Sequence, residues 1–165
     1  MDSTLSLLSV NQESLVSLIN STYTFVNIND NATMLVSWYL DVHVIDSLGQ
    51  NVSFANVTAY VEYTLIQSKL TDTGGLARLT LQSELVNATG HYPAANYFIN
   101  ASYLAYQSTT EISVSSNLHL DFILEGLVVP EFPANLILHL FIVAVLLAAI
   151  LYRKRQKQKE NSPIG

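Results

Sequence analysis

The stretch Leu35-Val-Ser-Trp-Tyr-Leu-Asp-Val-His-Val-Ile-Asp46 alternates between apolar and mixed side chains. Because successive side chains of a β-strand point to opposite faces, the even positions share one face. These positions are Val36, Trp38, Leu40, Val42 and Val44. The opposite face carries Tyr39, Asp41 and His43. This period of two predicts a strand with one side in a core and the other toward solvent.

The same alternation recurs down the chain. We predict further strands at residues 55–63, 63–70, 77–82, 97–103, 111–114 and 118–124. Asp46-Ser-Leu-Gly-Gln50 and Thr71-Asp-Thr-Gly-Gly75 are typical of tight turns, whereas residues 83–95 are predicted to be a long loop. Six or seven short strands with glycine turns favour an all-β fold, an antiparallel Ig-like β-sandwich over residues 35–125.

Residues 1–34 are rich in Ser, Asn and Thr, with short apolar groups between them. A helix over residues 5–19 is disfavoured because serine is a poor residue for a helix interior. Short strands separated by turns fit better. Such segments resemble the last rungs of a right-handed β-helix, in which each coil buries its face on a neighbour. We therefore expect this segment to be the end of an upstream β-helix.

The C-terminal part reads as a membrane anchor. The run from Leu136 to Tyr152 is seventeen residues long and contains no Asp, Glu, Lys or Arg. As a helix it would span about 26 Å, close to the hydrocarbon core of a bilayer. We predict a Pro-containing stalk over residues 126–134, a transmembrane helix over 135–152 and a basic tail over 153–165. A buried helix of a soluble domain is the alternative interpretation.

The charge distribution predicts a topology. Residues 1–152 hold two basic side chains, Lys69 and Arg78, against twelve acids, and the tail holds five basic residues and one acid. Because basic segments beside a span stay inside, the tail is expected to be cytoplasmic and the β-domain outside, in a single-pass cell-membrane protein. The acidic outer part argues against nucleic acid as a partner. With no cysteine in the chain, disulfides and thiolate metal sites are excluded.

The N-terminus conflicts with an exported domain. Residues 1–10 have no basic n-region, no continuous apolar core and no cleavage site of the kind found in secretory signals. We expect this chain to be the C-terminal piece of a longer exported protein, or to carry a late start. A tail-anchored cytosolic protein is the alternative.

Six Asn-X-Ser/Thr triplets occur, at Asn20, Asn31, Asn51, Asn56, Asn87 and Asn100. Each is a glycan acceptor if the chain crosses a glycosylating route, but a chain rich in Asn, Ser and Thr also produces such triplets by chance. Asn56 and Asn100 fall on strand faces that are predicted to meet solvent.

Four segments in order carry a family resemblance. They are Val42-His-Val-Ile-Asp-Ser-Leu-Gly-Gln-Asn-Val, Ala55-Asn-Val-Thr-Ala, Thr71-Asp-Thr-Gly-Gly-Leu-Ala and Tyr97-Phe-Ile-Asn-Ala-Ser-Tyr-Leu-Ala-Tyr. Over residues 37–124 this order resembles the carboxypeptidase-regulatory-like (transthyretin-like) β-sandwich family, although Ala105 stands where that family often has glycine. The resemblance implies a non-catalytic structural or adhesive module. Val129-Pro-Glu-Phe-Pro133 and the apolar run resemble the Pro-Glu-Phe anchor of archaeal surface proteins, here retained rather than cleaved.

Candidate chemistry is sparse, and neither an enzyme activity nor a cofactor is expected. Asp72-Thr-Gly74 is the tripeptide of aspartic proteases, but it has no second copy and lies in a predicted turn. Asp41-x-His43 and His119-x-Asp121 could supply four metal ligands if the first and last strands lie side by side. Ordinary polar decoration of an exposed sheet face is the favoured interpretation. His91 is predicted to lie in a loop, and His139 at the membrane interface.

The function that these patterns predict is structural. We expect a membrane-anchored module that displays larger surface domains, with the lipid bilayer as a partner and other surface proteins or glycans as further partners. One alternative is an adhesion or glycan-binding module that uses Tyr39, Tyr60 and Tyr106, predicted to be exposed. Another is an accessory domain of an exported hydrolase.

Overall fold

The computed structural model describes residues 3–5, 8–10, 13–29, 31–130 and 134–160. Within them, side chains are described at 9–10, 13–29, 31–130 and 139–154. The chain divides into two compact units, Met1–Val129 and Pro130–Gly165. Of the predicted segments, residues 131–133 of the stalk and 161–165 of the tail lie outside the described residues.

Thirteen strands are described in the first unit. They are β1 (Ser3–Leu5), β2 (Leu8–Val10), β3 (Leu15–Ile19), β4 (Ser21–Tyr23), β5 (Val26–Ile28), β6 (Thr33–Asp46), β7 (Asn56–Val61), β8 (Thr64–Leu70), β9 (Leu76–Asn87), β10 (Gly90–Pro93), β11 (Tyr97–Tyr103), β12 (Tyr106–Ile112) and β13 (Leu118–Leu124).

The first six strands stack as two coils. β1 pairs with β4, β2 with β5 and β3 with the start of β6, always in parallel. Each paired residue lies eighteen positions before its partner, as in Ser3 with Ser21 and Leu15 with Thr33. The short strands predicted for residues 1–34 are thus present, and one eighteen-residue coil lies against the next.

Two sheets form the rest of the unit. One has the order β10-β9-β6-β13, with β3 also on β6, and the other has the order β12-β11-β7-β8. The predicted β-sandwich is therefore confirmed at the level of fold class. Its pairing is not antiparallel throughout, because β13 and β3 both run parallel to β6. The alternation of side chains along a strand does not reveal the direction of its neighbour.

The core lies between these sheets and contains the faces expected from the sequence. The even positions of β6 are all buried, with Leu40, Val42 and Val44 wholly inaccessible. The same sheet adds Leu79 and Leu81 of β9 and Phe122 of β13, and the facing sheet adds Val57 and Ala59 of β7 and Ile99 of β11. The largest apolar side chains of β6 thus anchor the sheet from its centre, in agreement with the predicted period of two.

Three local predictions are wrong. The strand predicted at residues 111–114 is instead β12, which begins at Tyr106 and ends at Ile112. The stretch predicted as a long loop at residues 83–95 instead extends β9 to Asn87 and returns as β10. The Asn87 side chain makes this hairpin possible because its Oδ1 accepts hydrogen bonds from the N–H groups of Thr89 and Gly90, at 2.9 and 3.2 Å. The strand predicted at residues 55–63 is shorter, since β7 ends at Val61 and Tyr63 is 100% exposed in the following turn.

The two glycine turns have the predicted conformation. Asp72 Oδ1 accepts hydrogen bonds from the N–H groups of Gly74 and Leu76, at 2.8 and 3.0 Å. This geometry confirms the turn interpretation of Asp72-Thr-Gly74. Gly75 follows with a φ of +73°, and a Cβ placed there would lie 2.6 Å from the carbonyl oxygen of Val44. Gly49 has a similar φ of +79° but open space around it.

The end of β6 holds the segment that leaves β13. Asp46 is only 1% exposed, and its Oδ2 accepts the N–H of Val129 at 2.8 Å. Its Oδ1 accepts the N–H groups of Leu48 and Gln50, each at 2.8 Å. Burial acts to raise the pKa of Asp46, but these backbone donors outweigh it and hold the pKa below its ordinary value. The carboxylate therefore belongs to the folded structure in its charged form.

The second unit contains one helix, α1 (Ala134–Glu160). Its large apolar side chains from residue 140 to 152 are exposed, between 47% for Ile142 and 67% for Phe141. Across the described residues, whose side chains in α1 run from 139 to 154, no helix is long and apolar enough to cross a membrane. The transmembrane helix predicted at 135–152 is therefore not confirmed.

The two glycine turns give a matched test of backbone strain. Gly49→Ala should cost about 1 kcal/mol, because it forces an L-residue into the left-handed region. Gly75→Ala should cost about 3 kcal/mol or more, because it adds a clash with a strand carbonyl to the same penalty. Urea unfolding of the two variants measures the difference in free energy. Equal costs would show that the Val44 carbonyl moves away freely.

Asp46 predicts a pH dependence. Its pKa is lowered on folding, so its stabilisation is complete above the unfolded pKa of about 3.9 and is lost as the pH falls through the folded pKa. Asp46→Asn should lower the Tm at neutral pH by roughly 5 °C or more, and the gap to wild type should close below about pH 4. Thermal unfolding across pH checks this, with Glu125→Gln as the control that follows wild type. A gap that stays constant with pH would contradict it.

Candidate functional site

The structure brings together the four residues of the predicted metal cluster. β13 lies directly beside β6, so that His119 stands opposite Asp41 and Asp121 opposite His43. All four side chains are on the sheet face that points away from the core. The condition set by the sequence, adjacent first and last sandwich strands, is therefore met.

Three of these side chains are joined through one carboxylate oxygen. Asp121 Oδ1 lies 3.2 Å from His43 Nδ1 and 3.3 Å from His119 Nε2. The other nitrogen of His43, Nε2, lies 2.8 Å from Oδ1 of Asn51. The imidazoles are thus held by a carboxylate and an amide on the surface between the two strands.

Asp41 is occupied by a different partner. Arg78 donates from Nε to Oδ1 at 2.6 Å and from Nη2 to Oδ2 at 2.8 Å, and its guanidinium lies 4.8 Å from the centre of the Tyr39 ring. The hydrogen bond from Arg78 is the largest influence on the pKa of Asp41 and lowers it below its ordinary value. Both carboxylate oxygens therefore face a guanidinium.

The metal interpretation is not supported by this geometry. Among the described residues, no group of three or more His, Cys, Asp or Glu side chains could hold a metal ion. The adjacency of β6 and β13 does not by itself form a metal site, because Arg78 holds both carboxylate oxygens of Asp41 in a bidentate pair. The four residues form a hydrogen-bonded polar face on β6 and β13.

A cleft of about 550 Å³ opens beside this polar face. Its lining residues are Asp41, Lys69, Leu70, Asp72, Leu76, Ala77, Arg78 and His119. It contains both basic residues of the first 152 positions, so the acidic domain concentrates its positive charge here. Arg78 is neutralised by Asp41, and Lys69 is exposed at the end of the edge strand β8.

A second polar cluster was missed in the sequence. Tyr23 donates to Oε2 of Glu84 at 2.8 Å, and His91 Nδ1 lies 2.7 Å from Oε1 of the same carboxylate. Burial, aided by the hydrogen bond to Glu84 and its charge, raises the pKa of Tyr23 to about 12. Its hydroxyl is therefore a neutral donor at ordinary pH. No local pattern joins Tyr23 to Glu84, because only the coil brings β4 against β9.

This cluster borders a shallow pocket of about 360 Å³ between β4, β9 and the connection from β12 to β13. Trp38 reaches its wall but is only 6% exposed. The predicted loop position of His91 is wrong, because His91 lies on β10.

The tyrosines proposed as a binding face are not the exposed ones. Tyr39, Tyr60 and Tyr106 are half-buried, and Tyr39 is covered by Arg78. Aromatic side chains that are more exposed include Tyr63, at 100%, and Phe54, at 68%, both of which lie outside the strands. The three predicted tyrosines are therefore less exposed than expected, and an adhesive face built on them stays a prediction.

The six glycosylation triplets differ in setting. Asn56 and Asn100 are half-buried on the outward faces of β7 and β11, as expected, and Asn56 Oδ1 accepts a hydrogen bond from Ser68 at 2.7 Å. Asn31 and Asn51 are exposed, and Asn87 lies at a hairpin. Asn20 has a φ of +54° and its Oδ1 accepts the amide of Asn117 at 2.5 Å. Their occupancy stays a prediction.

No protein-family model matches the chain, and no curated protein matches it. Solved structures that show a likeness include the following three. The Bacillus anthracis TIE protein is 14% identical with a TM-score of 0.42, over 64% of this chain and 19% of its own. Klebsiella pneumoniae 5-hydroxyisourate hydrolase is 18% identical with a TM-score of 0.37, over 53% of this chain and 86% of its own. Catechol 1,2-dioxygenase from Pseudomonas arvilla C-1 is 16% identical with a TM-score of 0.41, over 76% of this chain and 59% of its own.

The chain thus spans about a fifth of the TIE protein and less than two thirds of the dioxygenase. These likenesses establish no family and assign no activity to this chain. The transthyretin-like family drawn from the sequence stays a resemblance, and none of the three names concerns an archaeal anchor.

The pairing of Asp41 with Arg78 predicts a titration shift. Arg78→Ala should raise the pKa of Asp41 toward its ordinary value, because the bidentate donor is lost. NMR titration of the side-chain carboxyl carbon measures it, and Lys69→Ala, which removes the other basic residue of the cleft, should leave it unchanged. An unchanged Asp41 pKa in Arg78→Ala would show that Arg78 does not control this carboxylate.

Proposed function

We propose that the protein is a non-catalytic structural module that holds surface domains at a lipid bilayer. In this proposal the β-unit lies outside the cell, α1 enters the membrane and the basic residues after Tyr152 stay on the cytoplasmic side. The coils before β6 connect the module to the surface domains that it displays.

The observation that carries the proposal is the exposure of apolar side chains along α1. From Leu140 to Tyr152 every large apolar side chain is about half exposed or more, on all sides of the helix. The surrounding run of seventeen residues contains no Asp, Glu, Lys or Arg. Exposed apolar surface of this extent requires a partner, and hydrocarbon chains are a partner that covers every side of a helix at once.

Charge supports the same orientation. Arg153, Lys154 and Arg155 follow the apolar run directly, whereas the first 152 residues have only two basic side chains. Basic side chains next to an apolar helix favour the cytoplasmic leaflet, where anionic lipids attract them.

The non-catalytic part of the proposal is supported by the polar clusters of the β-unit. Each of their carboxylates is engaged: Asp41 by Arg78, Asp121 by two imidazoles, Glu84 by Tyr23 and His91. Polar groups at a surface or between strands require hydrogen-bond partners, and this pairing meets that requirement. The one hydroxyl in these clusters, that of Tyr23, donates to Glu84, and its pKa of about 12 keeps it protonated at ordinary pH.

A charge-insertion experiment tests the membrane role. Val143→Arg with Leu147→Arg places two charges on one side of α1. If that side meets hydrocarbon, each charge should cost about 3 kcal/mol of the free energy of membrane insertion. Membrane partition should then fall by about four orders of magnitude. Flotation with phosphatidylcholine–phosphatidylglycerol vesicles, followed by alkaline carbonate extraction, measures it.

The matched control carries Leu48→Arg and Leu104→Arg, which put the same charges on exposed leucines of the β-unit. This control should float like the wild type and resist carbonate. A wild-type chain that stays in the aqueous fraction, or a doubly charged α1 that floats unchanged, would refute the membrane role.

A further inference from the structure

One edge of β6 carries two parallel partners in tandem. β3 pairs with residues 33–37 over five positions, and β13 pairs with residues 40–46 over seven. The other edge carries the antiparallel β9 along nearly the whole strand. β6 is therefore joined along one edge both to the N-terminal coils and to the last strand of the unit.

Two asparagines bridge the gap between β3 and β13. Tyr39 donates its N–H to Oδ1 of Asn117 at 3.0 Å, and Asn117 Nδ2 donates to Oδ1 of Asn20 at 2.5 Å. The backbone N–H of Asn20 in turn donates to the carbonyl of Ser37 at 2.9 Å. The side-chain amides thus replace the missing ladder bonds between the two partners, and the hydrogen-bonded edge of β6 is continuous.

The direction of the strands decides how tension would act on this edge. The chain enters β6 at Thr33 and leaves β13 at Leu124, and parallel pairing puts these two points at opposite ends of the pair. A pull on both points draws β6 toward its start and β13 toward its end. The two strands must then slide past each other, and the ladder bonds share the load instead of breaking one after another.

The segment that follows β13, where a pull from the C-terminal side acts, is hydrogen-bonded to the end of β6. Ser47 donates its N–H to the carbonyl of Leu127 at 3.0 Å, and its Oγ accepts the N–H of Gly126 at 2.7 Å. The Asp46 carboxylate holds the N–H of Val129 at 2.8 Å. Buried Phe122, Leu124 and Leu127 fix the same segment in the core. We call these contacts of Asp46 and Ser47 with residues 126–129 the exit latch. A pull from the C-terminal side therefore loads the exit latch before it loads the ladder between β6 and β13.

We propose that β6 and β13 form a tension-bearing clamp, which transmits a pulling force along the chain between the coils before Thr33 and the segment that leaves at Val129. The proposal rests on the proposed function, since a module between a bilayer and displayed domains is loaded between these two points. It assigns the load to hydrogen bonds stressed in parallel along one strand edge.

Single-molecule pulling of the full chain in detergent micelles tests the clamp. The chain has no cysteine, so two introduced thiols define the points of force. Asn31→Cys with Val128→Cys pulls from opposite ends and loads the pair in shear. Leu48→Cys with Val128→Cys pulls from the same end and peels β13 from β6. All three positions are exposed, so the handles should not disturb folding.

The shear pair should unfold at a several-fold higher force than the peeling pair at the same loading rate, although both variants keep the Tm of the wild type. In the shear geometry, adding Asp46→Asn should lower the unfolding force, because the exit latch is weakened. Equal forces in the two geometries would overturn the clamp.

The two proposals can fail separately. A chain that shows the directional difference in force but does not float with vesicles keeps the clamp and loses the membrane role. A chain that floats but unfolds at equal force in both directions keeps the membrane role and loses the clamp.

Discussion

The structure of the β-unit depends on the hydrogen-bonded ladders along the two edges of β6. This strand of fourteen residues belongs to the second coil at its start and to the sandwich over its remaining length. Its even side chains fill the core, and its end holds the exit segment through Asp46. An interruption of β6 would therefore separate the coils, the sandwich and the exit at the same time, since each obtains its register from this strand.

The sequence was most informative where local chemistry decides local structure. The alternation along β6 identified its buried face, and Asp-x-x-Gly patterns identified both tight turns, because side-chain period and turn residues act within a few positions. The hairpin at residues 83–95 was missed because Asn87, whose side chain closes the turn, also looks like an ordinary loop residue. Strand direction was missed because parallel and antiparallel partners impose the same alternation on a half-buried strand.

The polar sites show a second kind of limit. The sequence identified four candidate ligands, Asp41, His43, His119 and Asp121. They were predicted to lie together if the first and last sandwich strands are neighbours, and β6 and β13 are neighbours. What it did not reveal is that Arg78, thirty-seven positions from Asp41, would take both carboxylate oxygens. Electrostatic competition of this kind depends on which strands are neighbours, so ligand spacing alone overstates a metal site. The Tyr23–Glu84–His91 cluster depends in the same way on the coil, which no local pattern joins to β9.

The constant offset of eighteen residues restricts how the N-terminal segment can vary in length. Each strand of the first coil lies on the strand eighteen positions later, and β3 must still meet β6 at Thr33. Inserting one residue between the coils would break the eighteen-residue register of every strand pair before it, whereas inserting a whole coil would preserve that register. Length variants of this segment should therefore be tolerated in steps of one complete turn of the chain, and the sandwich that follows Thr33 would be unaffected by the number of turns.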